Sequence, residues 1–151
     1  LEYSVAEYPK LLAPLLHDGI DVVYGSRALP PHQRWQYRRY HGTERFYGFV
    51  VNLGGVLLTG LFNLLYRTSL TDGATMFKGF RASQLKSLVL KSNGFDYDWE
   101  IIAKLAKRGS RFLELPVSYT ARSRAEGKKI RFWRDSWRVL WAIVRYRFTD
   151  G

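Results

Sequence analysis

The chain contains no cysteine among its 151 residues. This absence excludes a disulfide framework and a thiolate metal site, and it fits a reducing compartment. The first residues carry no basic start, no signal-like apolar segment and no small-residue cleavage site, so we expect no targeting peptide here. Internal repeats and low-complexity segments are also lacking. The length suits one domain with a sizeable core, or part of a larger domain.

Acidic residues are scarce, because 13 Asp and Glu stand against 24 Lys and Arg and leave a formal net charge of +11. Such an excess predicts an anionic partner, which could be nucleic acid, anionic lipid headgroups or a phosphorylated substrate. Aromatic residues make up 16% of the chain, with five Trp and ten Tyr. Tyr and Trp beside Arg are typical of a membrane interface, but they also suit the stacking of nucleic-acid bases. Composition alone leaves both kinds of partner open.

The longest uncharged segment runs from Phe46 to Tyr66 and reaches the length of about 20 apolar residues that a membrane-spanning helix needs. Small and polar residues recur in it at helical spacing and form one stripe, on which another part of the protein should pack. The stripe consists of Gly48, Asn52, Gly55, Thr59 and Asn63. Three interpretations remain: a core helix pair broken at Gly54-Gly55 or Gly60, a transmembrane span, or a segment half buried at a lipid surface.

Alternating strand and helix patterns along the chain predict an α/β fold. A capping box of Ser4 and Glu7 opens a first helix, which Pro9 and Pro14 should shorten or kink. The leucines predicted to face inward from it are Leu11, Leu12, Leu15 and Leu16. Further helices are predicted at residues 83–90 and 96–108, and further strands at residues 76–80 and 111–115.

An apolar strand at residues 20–24 ends in Gly25-Ser26-Arg27. In open α/β sheets ligands bind beyond the carboxyl ends of the strands, so Arg27 is placed to meet an anion, or else lies in a solvated loop. A basic, glycine-containing segment at residues 122–130 is either a phosphate cradle or an ordinary basic loop.

The last segment, residues 131–148, predicts a helix with an aromatic face and an arginine margin. The apolar face consists of Trp133, Trp137, Leu140, Trp141, Val144 and Phe148, and the margin of Arg131, Arg134, Arg138 and Arg145. This pattern fits a helix lying in a membrane interface, and equally a helix docked on its own domain with solvated arginines.

Six motifs in order together resemble a family 2 glycosyltransferase of the dolichyl-phosphate mannosyltransferase type, which includes polyprenyl-phosphate glycosyltransferases. The motifs are Leu1-Glu2-Tyr3-Ser4, residues 21–27 with the Gly-Ser-Arg turn, Leu70-Thr71-Asp72 with residues 77–81, residues 94–100, residues 114–119, and Arg122 with residues 126–130. Met76 and Lys78-Gly79 depart from the usual order of the family. The resemblance covers essentially the whole chain and implies a partial GT-A (Rossmann-like) fold. It implies a catalytic part at residues 1–130, with acceptor-side helices at about 38–67, and an amphipathic helix at residues 131–151.

The resemblance implies an inverting enzyme that moves mannose or glucose from a nucleotide-diphosphate sugar to a polyisoprenyl phosphate at the cytoplasmic face of a membrane. Arg27, Arg45 and Arg122 correspond to catalytic, phosphate-binding positions, and Asp72 is a fourth catalytic position. The phosphate-binding set also includes Lys128 and Lys129, and the acidic positions on the acceptor side are Asp72 and Glu100. A serine is usual one turn after Arg45, where this chain has Gly48.

The resemblance also implies a divalent metal, Mg²⁺ or Mn²⁺, with Glu2 as a ligand beside an Asp-x-Asp motif that should precede Leu1. A metal held by Glu2 alone would be weak, because Mg²⁺ is normally held by carboxylates plus substrate phosphates. We therefore expect the chain to be a fragment that is inactive without the donor-binding half. Two other interpretations stay open: a basic nucleic-acid-binding module, although no zinc finger, RNP motif or basic zipper is visible, and a non-catalytic membrane-surface domain.

Overall fold

The structure, a computed structural model, describes residues 3–17, 19–29, 45–120 and 132–149, and the side chains of all of these except residues 17, 132 and 133. A mixed sheet of three strands lies at its centre, in the order β2-β1-β3. The strands are β1 at Val22–Ser26, β2 at Lys78–Phe80 and β3 at Phe112–Pro116. Strand β1 pairs antiparallel with β2 and parallel with β3. The mixed α/β class predicted from the sequence is confirmed.

Five α-helices surround this sheet within the described residues. They are α1 at Tyr8–His17, α2 at Arg45–Tyr66, α3 at Ala82–Lys86, α4 at Tyr97–Lys107 and α5 at Phe132–Phe148. Strand β1 is buried at every position. Such complete burial is the property expected of a continuous apolar strand between two layers.

The two faces of β1 belong to two hydrophobic clusters, because successive side chains of a strand point to opposite faces. Val23 packs with Leu11 and Leu15 of α1 in the smaller cluster. Val22 and Tyr24 belong to the larger cluster, which contains residues of α2, α4 and α5. Helix α5 therefore shares one core with α2, α4 and one face of β1.

The first helix differs from its prediction in two ways. Residues Val5–Glu7 form a short 3₁₀ turn in which the Ser4 hydroxyl accepts from the Ala6 N–H at 3.3 Å. The predicted capping box does not form, because the Glu7 carboxylate instead accepts from the Ser118 N–H at 3.1 Å. Helix α1 also continues through Pro14.

Helix α1 continues through Pro14 because of the side chains that it buries. Leu11, Pro14 and Leu15 are buried, and this contact with the sheet offsets the hydrogen bond that a proline removes. Leu12 and Leu16, both predicted to face inward, are 49% and 72% exposed. They lie one position beyond the stripe that touches the sheet.

Helix α2 is a single helix of 22 residues. The predicted helix pair is therefore wrong for the described residues 45–66, while residues 38–44 lie outside them. Gly54, Gly55 and Gly60 do not interrupt it. The predicted stripe does pack inward: Gly48, Asn52 and Thr59 are buried.

Helix α4 begins one residue after its predicted start and is closed by Gly109, whose φ is +74°. The Gly109 and Ser110 N–H groups donate to the Ala106 and Leu105 carbonyls at 3.0 and 3.1 Å, which is the Schellman arrangement. Strand β2 is shorter than predicted, and β3 lies close to its predicted range.

Candidate functional site

Arg27 follows directly after β1, and its side chain is 3% exposed. Its Nε and Nη2 donate to the two carboxylate oxygens of Asp72 at 2.7 and 2.8 Å, and its backbone N–H adds a bond of 3.1 Å. Asp72 is likewise buried, at 2%. A bidentate contact of this kind neutralises the charge of the guanidinium and also fixes its orientation. Arg27 therefore lies in a buried ion pair and not in a solvated loop.

The loop that carries Asp72 is held by the polar stripe of α2. Asn63 donates to the Leu70 carbonyl at 2.7 Å and accepts from the Leu70 N–H at 2.9 Å. The Thr59 hydroxyl accepts from the Gly73 N–H at 3.1 Å. The stripe thus secures the loop on both sides of Asp72.

Glu114 holds the same loop from β3. Its two carboxylate oxygens accept from the backbone N–H groups of Thr71 and Asp72, at 2.7 and 3.0 Å. Burial raises the pKa of Glu114, and these two hydrogen bonds oppose the rise. The Thr71 hydroxyl also lies 2.7 Å from the hydroxyl of Ser26. Thr71 and Asp72 are therefore connected to both β1 and β3.

A second ion pair joins β2 to α4, and its cation is the buried partner. The Lys78 side chain is 3% exposed, and its Nζ lies 3.2 Å from a carboxylate oxygen of Asp98 and bonds to the Thr75 carbonyl. The same Nζ stands 5.3 Å from the centre of the Tyr24 ring. Burial lowers the pKa of Lys78 and the Asp98 charge opposes this, whereas burial raises the pKa of Tyr24 well above its ordinary value.

We call the group formed by Arg27, Asp72, Glu114, Lys78 and Asp98 the charge cluster. Tyr119 covers one side of it, with its ring centre 5.0 Å from the Arg27 guanidinium carbon. Arg27 is paired with Asp72 and Lys78 with Asp98, so an anion that binds to Arg27 must share the guanidinium with Asp72 or displace it.

The other predicted site residues fall in different places. Arg45 is exposed at the first position of α2. Glu100 is fully buried in α4, where it accepts from Lys104 Nζ at 2.6 Å and from the N–H groups of Lys91 and Ser92. The predicted residues outside the described part of the chain are Glu2, Arg122, Lys128 and Lys129. The structure therefore brings Arg27 and Asp72 together and gives Glu100 its own set of partners.

Sequence reasoning assigned no role to Glu114, Lys78 or Asp98. A usable signal was present for two of them, because Glu114 and Lys78 each interrupt an otherwise apolar strand. A charge inside such a strand needs a partner when it is buried. The partner of Lys78 could not be read from the chain, since Asp98 is 20 residues away on a different element.

The described residues do not fit a divalent metal. Among them, no three His, Asp or Glu side chains stand close enough together to hold one. The cluster carboxylates of Asp72, Asp98 and Glu114 are occupied by a guanidinium, an ammonium and two backbone N–H groups. Glu2, the predicted ligand, lies outside the described part.

Helix α2 is the one helix within the described residues that is long and apolar enough to be membrane-associated. Opposite its buried stripe stand apolar side chains that the protein leaves uncovered. This outward face of α2 consists of Phe46, Phe49, Leu57 and Leu64. Helical geometry places these four within about 80° of one another.

Helix α5 shows the same division. Val139, Ala142, Ile143 and Tyr146 are buried in the larger cluster, and the Tyr66 hydroxyl donates to the Ile143 carbonyl at 2.9 Å. The outward face of α5 consists of Trp137, Trp141 and Phe148, which are 67%, 60% and 76% exposed. Arg134, Arg138 and Arg145 are exposed beside it. The predicted aromatic face thus points away from the core, while the opposite face docks on the protein; the side chain of Trp133 is not described.

Comparison with protein-family models, curated proteins and solved structures finds no match for this chain. The fold and the site define a mixed α/β protein with a charge cluster around the buried Arg27–Asp72 pair, at the carboxyl end of the central strand, and with exposed apolar side chains on two of its helices.

Proposed function

We propose that this chain is the acceptor-binding part of a family 2 glycosyltransferase of the dolichyl-phosphate mannosyltransferase type, with a GT-A fold, at the cytoplasmic face of a membrane. The enzyme would transfer mannose or glucose from a nucleotide-diphosphate sugar to a polyisoprenyl phosphate with inversion. The donor and the metal would be bound by residues other than those described here.

The observation that carries this proposal is the combination of Arg27, held by Asp72 at the end of β1, with the outward apolar faces of α2 and α5. A polyisoprenyl phosphate has two matching parts. Its phosphate favours a guanidinium, and its tail favours an apolar surface at the membrane. Neither a nucleic-acid module nor an ordinary core helix requires uncovered Trp, Phe and Leu on two long helices.

The acceptor oxygen in this reaction is already anionic, so it can attack the anomeric carbon without a strong general base. The protein then contributes orientation and charge neutralisation. In the proposal Arg27 neutralises and orients the acceptor phosphate, and Asp72 keeps Arg27 in place before that phosphate arrives. Arg45, Arg122, Lys128 and Lys129 are the further phosphate-binding residues proposed.

Acceptor binding tests the proposal directly. The chain is mixed with phosphatidylcholine vesicles that contain either a polyisoprenyl phosphate or phosphatidylglycerol at equal negative charge, and bound protein is measured by flotation. We expect tighter binding to the polyisoprenyl phosphate. Arg27→Gln paired with Asp72→Asn removes the ion pair without leaving one charge buried, and should abolish only this preference. Lys86→Gln, at an exposed position of α3, is the control and should keep it.

Three results would contradict the proposal. Equal binding to the two vesicles would favour a non-catalytic membrane-surface domain. Binding to RNA or DNA that weakens steeply with salt, without vesicle binding, would favour a nucleic-acid module. An unchanged preference in the Arg27→Gln/Asp72→Asn variant would remove Arg27 from the acceptor site.

A further inference from the structure

We infer that Glu114 is a positioning residue for Arg27, acting through the backbone N–H groups of Thr71 and Asp72. Its importance for function rests on the acceptor role proposed for Arg27. The contact chain itself does not depend on that role, and it can be tested without any lipid.

Two successive charge-assisted contacts connect Glu114 to Arg27. The Glu114 carboxylate accepts from the Thr71 and Asp72 N–H groups at 2.7 and 3.0 Å. The Asp72 carboxylate then accepts from Arg27 at three donors, between 2.7 and 3.1 Å. Hydrogen bonds with one ionised partner are roughly twice as strong as neutral ones. The orientation of the Asp72 carboxylate, and with it that of the guanidinium, therefore depends on how firmly Glu114 holds the Asp72 backbone.

The rest of the loop does not need Glu114. Asn63 holds Leu70 on one side and Thr59 holds Gly73 on the other, both from α2. Between these two anchors, the N–H groups of Thr71 and Asp72 donate to the Glu114 carboxylate. Loss of the Glu114 carboxylate should consequently loosen the Asp72 backbone while the loop and the fold stay in place.

The ionised carboxylate matters because it can accept at both oxygens. An amide or a protonated carboxyl accepts well at one oxygen only, and it turns an N–H or O–H donor toward the second backbone N–H. A carboxylate is also unfavourable here, because Glu114 is largely removed from water and lies close to the like charge of Asp72. The ionised carboxylate therefore holds the Thr71 and Asp72 N–H groups together, and loss of its charge should release one of them.

Glu114 is accessible to protons through a cavity of about 480 Å³ between β3 and the turn after α2. Within the part of the chain that the structure describes, three titratable or charged groups lie close to it. Tyr24 is its register partner on β1, Asp72 lies on the loop it holds, and Arg67 lines the same cavity. Burial, together with the Asp72 charge, raises the pKa of Glu114 above its ordinary 4.5.

The test is a pH titration of the whole chain followed by NMR. We observe the side-chain carboxyl carbon of Glu114, the amide protons of Thr71 and Asp72, and the Nε–H of Arg27. We expect all four signals to move with one common midpoint above pH 4.5, because each reports the same change at Glu114.

In Glu114→Gln, the Arg27 Nε–H signal should no longer titrate with that midpoint. Its chemical shift at neutral pH should also differ from that of the unmutated chain. Asp21→Asn is the matched control, since Asp21 accepts from the Arg111 N–H at 2.9 Å at the other end of the same strand pair. It should leave the Arg27 signal and its midpoint unchanged. In the vesicle assay, Glu114→Gln should lose most of the preference for polyisoprenyl phosphate and keep its binding to phosphatidylglycerol.

The inference is overturned if the Arg27 Nε–H in the unmutated chain does not follow the Glu114 carboxyl midpoint, a result that needs no folded variant. It is also overturned if Glu114→Gln leaves the Arg27 signal in place. Should the chain show no preference for polyisoprenyl phosphate while the common midpoint is observed, the proposed function fails and the positioning role of Glu114 stands.

Discussion

Arg27 and Asp72 depend on each other because both are almost entirely removed from water. Two buried charges gain from their mutual attraction but lose their hydration, so the pair as a whole contributes little to stability. Removal of one partner takes away the bidentate counter-charge of the other. In the proposed function, the Arg27–Asp72 ion pair would therefore serve mainly to orient the Arg27 guanidinium, and it would add little to the stability of the fold.

Arg27→Gln or Asp72→Asn alone should lower the free energy of unfolding by about 3–5 kcal/mol, the usual result of breaking a buried pair from one side. Arg27→Gln combined with Asp72→Asn should lower it by much less than the sum of the two single changes. Urea denaturation of the four proteins measures this. Additive effects would show that the two side chains are not coupled.

Glu100 is predicted to make stability depend on pH. Burial alone would raise its pKa, but the Lys104 ammonium and the N–H groups of Ser92 and Lys91 outweigh burial and lower the pKa from 4.5 to about 2. A depressed pKa means that the contribution is present above pH 4.5 and is lost as the pH falls toward 2. The size of the shift corresponds to about 3 kcal/mol.

Glu100→Gln should therefore be less stable than the unmutated chain by about 3 kcal/mol at pH 7, with a smaller difference at pH 3. Denaturation with urea at the two pH values measures it. Asp96→Asn changes an acid whose side chain makes no capping hydrogen bond, and it serves as the control. An equal loss at both pH values would contradict the charge-based explanation.

At the scale of elements, α2 carries two different functions on opposite faces. Its inward stripe holds the loop of Asp72, and the four side chains of its outward face are exposed. From the sequence alone, a stripe of small and polar residues is compatible with packing on another helix as well as with binding a loop. The tertiary structure shows that Thr59 and Asn63 of this stripe bind backbone groups of the loop.

Asn63→Ala should lower the free energy of unfolding by about 2–4 kcal/mol, because it leaves the Leu70 N–H and C=O without the partners described here. Leu64→Ala at the next position changes a side chain that is 77% exposed, and should stay within about 0.5 kcal/mol. Thermal or urea unfolding compares them. A larger effect for Leu64 would mean that the outward face is buried in solution.

For α5, the expected result is a separation of membrane binding from stability. Trp137→Ala combined with Trp141→Ala should weaken vesicle binding strongly and leave the unfolding transition nearly unchanged, because both rings point outward. Ile143→Ala should do the reverse and cost about 2–5 kcal/mol of stability, since Ile143 is fully buried. Flotation and urea unfolding of both variants measure the two effects. Similar vesicle binding by all variants would remove α5 from the membrane surface.

The whole molecule carries a net charge of +11. Its attraction to an anionic surface is long-ranged at low salt and is screened as ionic strength rises, with a Debye length of about 10 Å at 0.1 M and about 3 Å at 1 M. Charge would therefore bring the protein to the membrane, and the outward aromatic side chains would hold it there.

Vesicles with anionic lipid should accordingly bind the chain several-fold more weakly at 0.5 M salt than at 0.1 M. Binding to neutral vesicles through the Trp face should change little over the same range. Flotation at the two salt concentrations tests this. Equal salt dependence for both vesicle types would show that charge is not what distinguishes them.

Much of the fold follows from local pattern. The α/β class, the buried strand ending before Arg27 and the closure of α4 at Gly109 were all predictable, because hydrophobic period and glycine position act over a few residues. The direction of β2, the uninterrupted course of α2 and the orientation of Leu12 and Leu16 were not. Each depends on what the element packs against, which no local pattern contains.

The sequence by itself determined the presence of Arg27 after the central strand, the excess of positive charge and the two faces of α5. Only the tertiary structure decided that Arg27 is paired with Asp72 and that Glu114 holds the Asp72 backbone. These residues are separated by more than 40 positions along the chain. Their pairing is a consequence of the strand order and of the α2 stripe, because burial makes charged and polar groups take whichever partners the packed elements bring within reach.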